Sequence, residues 1–264
     1  MITLYTHPMS PCAQKVRITL AEKGLDYTAH QIDLPGKENL APWYLKLNPQ
    51  GVVPTLMDAD HVVIESSLIC EYIEEAYRGG TALRPDAAHL RHRMRMWMKH
   101  VDNKLHPSCG ALQWPLAMRP RLLAMGEEKA AELLARVVEK PRRERQMRLY
   151  RDGLEAADVQ GAVGVYCDTI DRMEADLASE NWVLGEYLSL ADIVLAPYFQ
   201  TLLQYGWTGL YEDKHPRVTD WVRRVTSRPS WQVAVLSEFT DEKLAELKAQ
   251  GGQAWTTIRR HAKH

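Results

Sequence analysis

The chain has 264 residues, 45% of them hydrophobic and 25% charged, which suits a soluble globular protein with enough length to bury a sizeable core. A formal net charge of -1 and a sequence pI near 6.8 argue against nucleic acid or an anionic membrane surface as partner. Four cysteines without a C-x-x-C pair or zinc-like spacing argue against a disulfide framework or metal site, so no metal is expected. The start MITLY has neither a basic leader nor a long apolar run, and no window is apolar enough to span a bilayer. The sequence therefore points to a reducing cytoplasm.

Residues 2–5 (ITLY) read as a strand and residues 12–23 as a helix, with Val16, Ile18 and Leu20 on an apolar side and Lys15, Arg17 and Lys23 on a polar one. Gly24 is placed to close that helix, and residues 27–33 read as a second strand, parallel to the first. Residues 54–57 and 61–64 bracket an Asp-Ala-Asp turn and predict a hairpin, and residues 65–77 predict a helix stopped at Gly79 and Gly80. The sum is βαβ followed by ββα, a small α/β sandwich over residues 1–80, with a linker at 81–88.

From residue 89 to 264 helical periodicity takes over. Leu90, Met94, Trp97, Val101 and Leu105 share one face, as do Val165, Ile170, Met173 and Leu177. Ser189 and Asp192 form a Ser-x-x-acid capping box before a helix apolar nearly all round, which predicts a central, buried element. Residues 216–225 begin with a Pro suited to a helix start, and residues 238–264 predict a peripheral helix with a frayed tail. Residues 119–160 are rich in charge and helix formers but give no clear path. Within them KPRRERQMRLYR (140–151) is either a solvated helix face or a rim that attracts acidic ligands. Eight Trp and eleven Tyr against two Phe suit a helical core or the lining of a ligand pocket.

Three stretches carry chemistry. In SPCAQKV, Ser10 is placed as the N-cap of a helix with Pro11 at its first position, where a hydroxyl can also donate to a bound thiolate. Lowering a thiol's pKa by two units takes ~2.7 kcal/mol. One hydrogen bond to a charged group supplies ~1.5–3 kcal/mol, so one serine and a helix dipole are sufficient. Cys12 is the alternative nucleophile, since a helix N-terminus also favours its thiolate. In VVPTL, Pro54 at a strand entry suits a cis bond that turns the backbone before it outward toward a peptide ligand. In ESS, Glu65 could take an ammonium group, while Ser66 and the helix N-terminus take a carboxylate.

These motifs, in this order and over nearly the whole chain, resemble those of glutathione transferases. SPCAQKVRITLAEKGLDY is similar to the active-site strand–helix of zeta-type and omega-type members, LNPQGVVPTL to their cis-proline loop, ESSLICEYIEE to their glutathione-binding helix start and SLADI to their helical-domain capping box. The resemblance implies a thioredoxin-like N-terminal domain and an all-helical C-terminal domain. It implies glutathione as cosubstrate, Ser10 as the thiol-activating residue, Val53 and Pro54 along the cysteinyl part and Glu65 and Ser66 on the γ-glutamyl head. A homodimer is the family expectation. MRMWMKHVDNKL, the long stretch 119–160 and YLSLADI look like bacterial β-etherases of lignin breakdown, glutathione transferases that cleave β-aryl ethers. A small hydrophobic electrophile would then rest on Met9 and Trp114. Two other readings stay open: thiol–disulfide exchange through Cys12, and a non-catalytic glutathione-binding protein on the same fold.

Overall fold

The computed structural model describes residues 1–178 and 180–262. Strand β1 (Ile2–Thr6), helix α1 (Pro11–Glu22) and strand β2 (Tyr27–Gln31) form the expected parallel crossover, in register from Ile2 opposite Tyr27 to Thr6 opposite Gln31. A single 3-10 turn (Glu38–Leu40) and a short helix α2 (Pro42–Leu47), neither expected from the sequence, carry the chain to β3 (Thr55–Asp58) and β4 (His61–Val63). The sheet order is β2-β1-β3-β4 and the Val53–Pro54 bond is cis. Helix α3 (Ser66–Ala76) follows, which completes a thioredoxin-like unit.

Helix α1 departs from its expected amphipathic pattern. Lys15 and Arg17 are 0% exposed and Lys23 4%, although these residues were assigned to a polar face. The cause is that α1 is covered on both sides, by α3 and by helices of the second half of the chain. Each cation is therefore given partners. Arg17 donates to Thr6 Oγ1 (2.7 Å) and to the Ala234 carbonyl (2.8 Å), and Lys23 pairs with Glu74 at 2.9 Å.

Beyond the linker segment the structure is helical. Helix α4 (Ala88–His100) runs through one wide π-type turn (Val101–Leu105) into α5 (His106–Ala117). Of the predicted face, Met94, Trp97, Val101 and Leu105 are buried and Leu90 is half-buried. The uncertain stretch resolves into α6 (Arg119–Met125), α7 (Glu127–Ala135) and α8 (Lys140–Asp152), folded over a small apolar centre of Leu122, Ala130 and Leu134. Then come α9 (Ala157–Asp176), the central α10 (Leu190–Tyr205), α11 (Pro216–Thr226), α12 (Pro229–Ala234) and α13 (Asp241–His261). The end of the expected frayed tail, residues 263–264, lies outside the described residues. No described helix is long and apolar enough to cross a membrane.

One hydrophobic core joins the two halves, from Leu4 and Leu56 under the sheet through Met94 and Trp97 to Trp221 and Ile258. Between the halves, α1 presents its N-terminus to α5 and α10, and that seam holds the chemistry-bearing residues.

Candidate active site

Two adjoining cavities open along the seam. One, of about 220 Å³, is bordered by Cys12, Gln50, Pro54, Glu65, Ser66 and Asp102. The other, of about 280 Å³, is bordered by Ser10, Lys37, Asn39, Gly110, Trp114 and Gln146. Val53, His106, Arg142 and Arg145 border both. Of the residues singled out in the sequence, Met9 alone borders neither; it packs half-buried against the main core.

Ser10 is the N-cap of α1, in extended conformation, and its Oγ accepts from the Ala13 amide at 3.2 Å. The cap occupies a lone pair of that oxygen and leaves the hydroxyl proton free to donate elsewhere. Val53 lies just before strand β3. Its amide and carbonyl have no backbone partner among the described residues, while the preceding Val52 carbonyl accepts from Tyr44 and Asn48. The loop is thus anchored on one side and left open for main-chain bonding on the other.

Glu65 stands at the N-terminus of α3 with a backbone φ of 70°, a region that non-glycine residues seldom adopt. Holding it costs roughly 1–3 kcal/mol, and such strain gathers where a side chain must be aimed. Its carboxylate accepts from Gln50 Nε2 at 2.7 Å and faces the cavity beside Ser66. A carboxylate next to a helix N-terminus offers matched partners for a molecule carrying both an ammonium and a carboxylate.

Cys12 is half-buried at the second position of α1. Its Sγ lies 3.4 Å from His106 Nδ1 and 3.8 Å from the Tyr198 hydroxyl. Burial pushes this thiol up, but His106 and Lys15, with hydrogen bonds from His106 and Ser66, pull it down to about 6. Lys15 is held by Asp102 at 2.9 Å and donates to Ser66 Oγ at 3.3 Å. Burial disfavours its ammonium, yet Cys12 and Asp102 together raise its pKa above the ordinary lysine value. Sequence reasoning missed His106, Lys15, Asp102 and Gln50. Only Gln50 had a local signal, in the loop NPQGVVP that also supplies Val53.

Comparison with known proteins decides what this arrangement belongs to. The chain is 30% identical over 255 residues to Protein LigF of Sphingobium sp. (strain NBRC 103272 / SYK-6), a match that covers 93% of this chain and 96% of that protein. The glutathione S-transferase N-terminal domain description matches residues 4–81 and the C-terminal domain description residues 152–229, with α4 to α7 and all but the last residue of α8 between the two matches. The chain belongs to the glutathione S-transferase family. Glutathione S-transferase 3 of Zea mays is also 30% identical, over 241 residues covering 89% of this chain and 93% of that one. Among solved structures, β-etherase LigF from Sphingobium sp. strain SYK-6 superposes with a TM-score of 0.78 at 28% identity, over 88% of this chain and 98% of that chain. Glutathione transferase F7 from Populus trichocarpa gives a TM-score of 0.69 at 24% identity, over 91% of this chain and 100% of that one, a likeness of fold. Membership of this transferase family implies use of glutathione.

Proposed function

We propose that the protein activates the thiol of glutathione for attack on a small aromatic electrophile, and that its reaction is the cleavage of β-aryl ethers. In this reading the γ-glutamyl ammonium meets Glu65, and its carboxylate meets Ser66 at the start of α3. The cysteinyl backbone pairs with the open amide and carbonyl of Val53 beside Pro54. The thiolate then accepts a hydrogen bond from Ser10. The observation that carries the reading is Ser10 itself: its oxygen caps α1 through Ala13, its proton is free, and it borders the same cavity as Val53 and Trp114. The thiolate attacks the carbon bearing the aryloxy group. A C–S bond forms, the C–O bond breaks, and the aryloxide leaves to take a proton from solvent. Trp114 supplies an apolar wall for the aryl ring, while Met9 packs against the main core and borders neither cavity. The likeness to a β-etherase over nearly the full length supports this substrate class.

A second reading has its own support in the Cys12–His106 contact of 3.4 Å. Here the Cys12 thiolate attacks the glutathionyl sulfur of a mixed disulfide and releases the partner thiolate. A second glutathione thiolate then frees Cys12 and leaves as glutathione disulfide.

One experiment separates the two. Phenol release from a racemic chromogenic β-aryl ether is measured with and without glutathione, beside reduction of a glutathione mixed disulfide. We expect glutathione-dependent phenol release, and Ser10→Ala should lower it about 10- to 100-fold, the worth of one hydrogen bond to a charged group. No phenol release, with disulfide reduction that vanishes in Cys12→Ala, would replace the first reading by the second.

A further inference from the structure

The basic run on α8 is unevenly employed. Arg143 donates to the Val137 carbonyl at 2.8 Å, Arg148 makes a two-pronged pair with Asp158 at 2.8 Å, and Arg151 pairs with Asp152 at 2.7 Å. Lys140 stands 3.8 Å from Glu144. Arg142 and Arg145 have no ion pair or hydrogen bond among the described residues, and these two are the members of the run that border both cavities. The Arg142 Nε and the Gln146 side-chain Oε1 are buried without a partner among the described residues. Both arginines are half-buried, and a guanidinium nitrogen withdrawn from water without a partner is costly unless an anion completes it.

The charges are also sorted between the cavities. Arg142 and Arg145 are common to both borders, but the cavity beside Cys12 adds Glu65, Asp102 and Glu139, whereas the one beside Ser10 adds Lys37 and, among the described residues, no carboxylate. Lys37 feels this crowd: burial and then the charges of Arg142 and Arg136 lower its pKa below the ordinary lysine value. Trp114 offers an aromatic wall on the same cavity. We infer that Arg142 and Arg145, carried by α8 over the Ser10 cavity, bind an acidic group on the electrophile, so that the substrate is an aromatic compound bearing a carboxylate. Arginine suits this role because its planar donors match a carboxylate in pairs. The inference rests on the proposed reading that glutathione delivers its thiol at Ser10.

The test compares two conjugates that differ in one group, S-(2,4-dinitrophenyl)glutathione and S-(4-carboxy-2-nitrophenyl)glutathione, by calorimetric titration of the intact protein. The carboxylate conjugate is expected to bind about tenfold more tightly, the worth of a charge-assisted hydrogen bond. In Arg142→Gln/Arg145→Gln the ratio of the two Kd values should fall to about one, while Arg143→Gln, whose side chain is engaged by Val137, keeps the preference. The glutathione portion is common to both ligands, so its own carboxylates cancel in the ratio. Equal binding of the two conjugates to the wild-type protein would overturn this inference alone. So would an equal loss for both in the double variant, which would make the arginines glutathione ligands. Failure of either conjugate and of glutathione to bind would overturn the transferase reading, and this inference with it.

Discussion

Cys12 shows how far neighbours can change a side chain. Burial alone would make its thiol inert, as it does for Cys70, which is pushed up to about 12. His106 and Lys15 reverse that and bring Cys12 to about 6. Alkylation of Cys12 by iodoacetamide, followed by mass spectrometry, should therefore rise with pH around a midpoint near 6, and His106→Ala should move the midpoint upward. A midpoint unchanged in that variant would mean that His106 does not hold the thiolate. The folded pKa lies below the ordinary cysteine value of 9.0, so the thiolate's contribution to stability is complete above pH 9 and is lost as pH falls through about 6. Ser10, Val53, Glu65 and Ser66, singled out in the sequence and all bordering the two cavities, announce themselves through local chain grammar: a cap, a strand-entry proline and a helix start. His106 and Asp102 reach the seam from helices far along the chain, and nothing local marks them; Arg142 lies in the basic run 140–151, which the sequence read as either a solvated face or a rim for acidic ligands. Lys15 and Arg17 misled for the same reason, because a helix covered on two sides by distant partners keeps no solvent face.

Among the elements, α10 matched its sequence signature most fully. The capping box at Ser189 and Asp192 forms, and the helix behind it is buried nearly throughout. Asp192 does more than cap. One carboxylate oxygen accepts from the Val183 amide at 3.0 Å and Trp221 Nε1 at 2.9 Å, the other from the Ser189 amide at 3.0 Å and the Ser189 hydroxyl at 2.9 Å. It ties α10 to α11 and to the loop before the helix. Asp192→Ala would leave four buried donors without an acceptor and should lower stability by about 3–4 kcal/mol, read from urea denaturation. A loss under about 1 kcal/mol would show that water replaces the carboxylate. The capping box was legible because its two residues are three apart; Val183 and Trp221 were not, because they meet Asp192 only in the folded chain. Helices α6 to α8 escaped a clear reading for a different reason. They share only a small apolar centre, so their sequences carry charge rather than a strong 3.6-residue period.

At the scale of the molecule, the two halves are joined by a continuous core and by a buried ionic tie. Glu22 at the end of α1 takes two bonds from Arg228, at 2.6 and 2.8 Å, and one each from Ser230 (2.6 Å) and Thr81 (2.9 Å). Burial pushes the Glu22 carboxyl up, but these four donors outweigh it and hold its pKa below the ordinary glutamate value. A depressed pKa means that the stability this group adds is present above the unfolded value of 4.5 and is lost as pH falls through the folded one. Because the core crosses the seam, tryptophan fluorescence, which reports mainly on the helical half, and far-ultraviolet circular dichroism should give one coincident unfolding transition. Glu22→Gln removes the charge from a pair whose arginine is partly exposed, and should cost about 2–3 kcal/mol at neutral pH. Its stability should also decline less than the wild type's on acidification below pH 4.5, since the group that titrates there is gone. Two separated transitions in the wild type would mean that the seam is weaker than its core implies. A variant that declined as steeply as the wild type in acid would assign that loss to other carboxylates and leave Glu22 a packing residue.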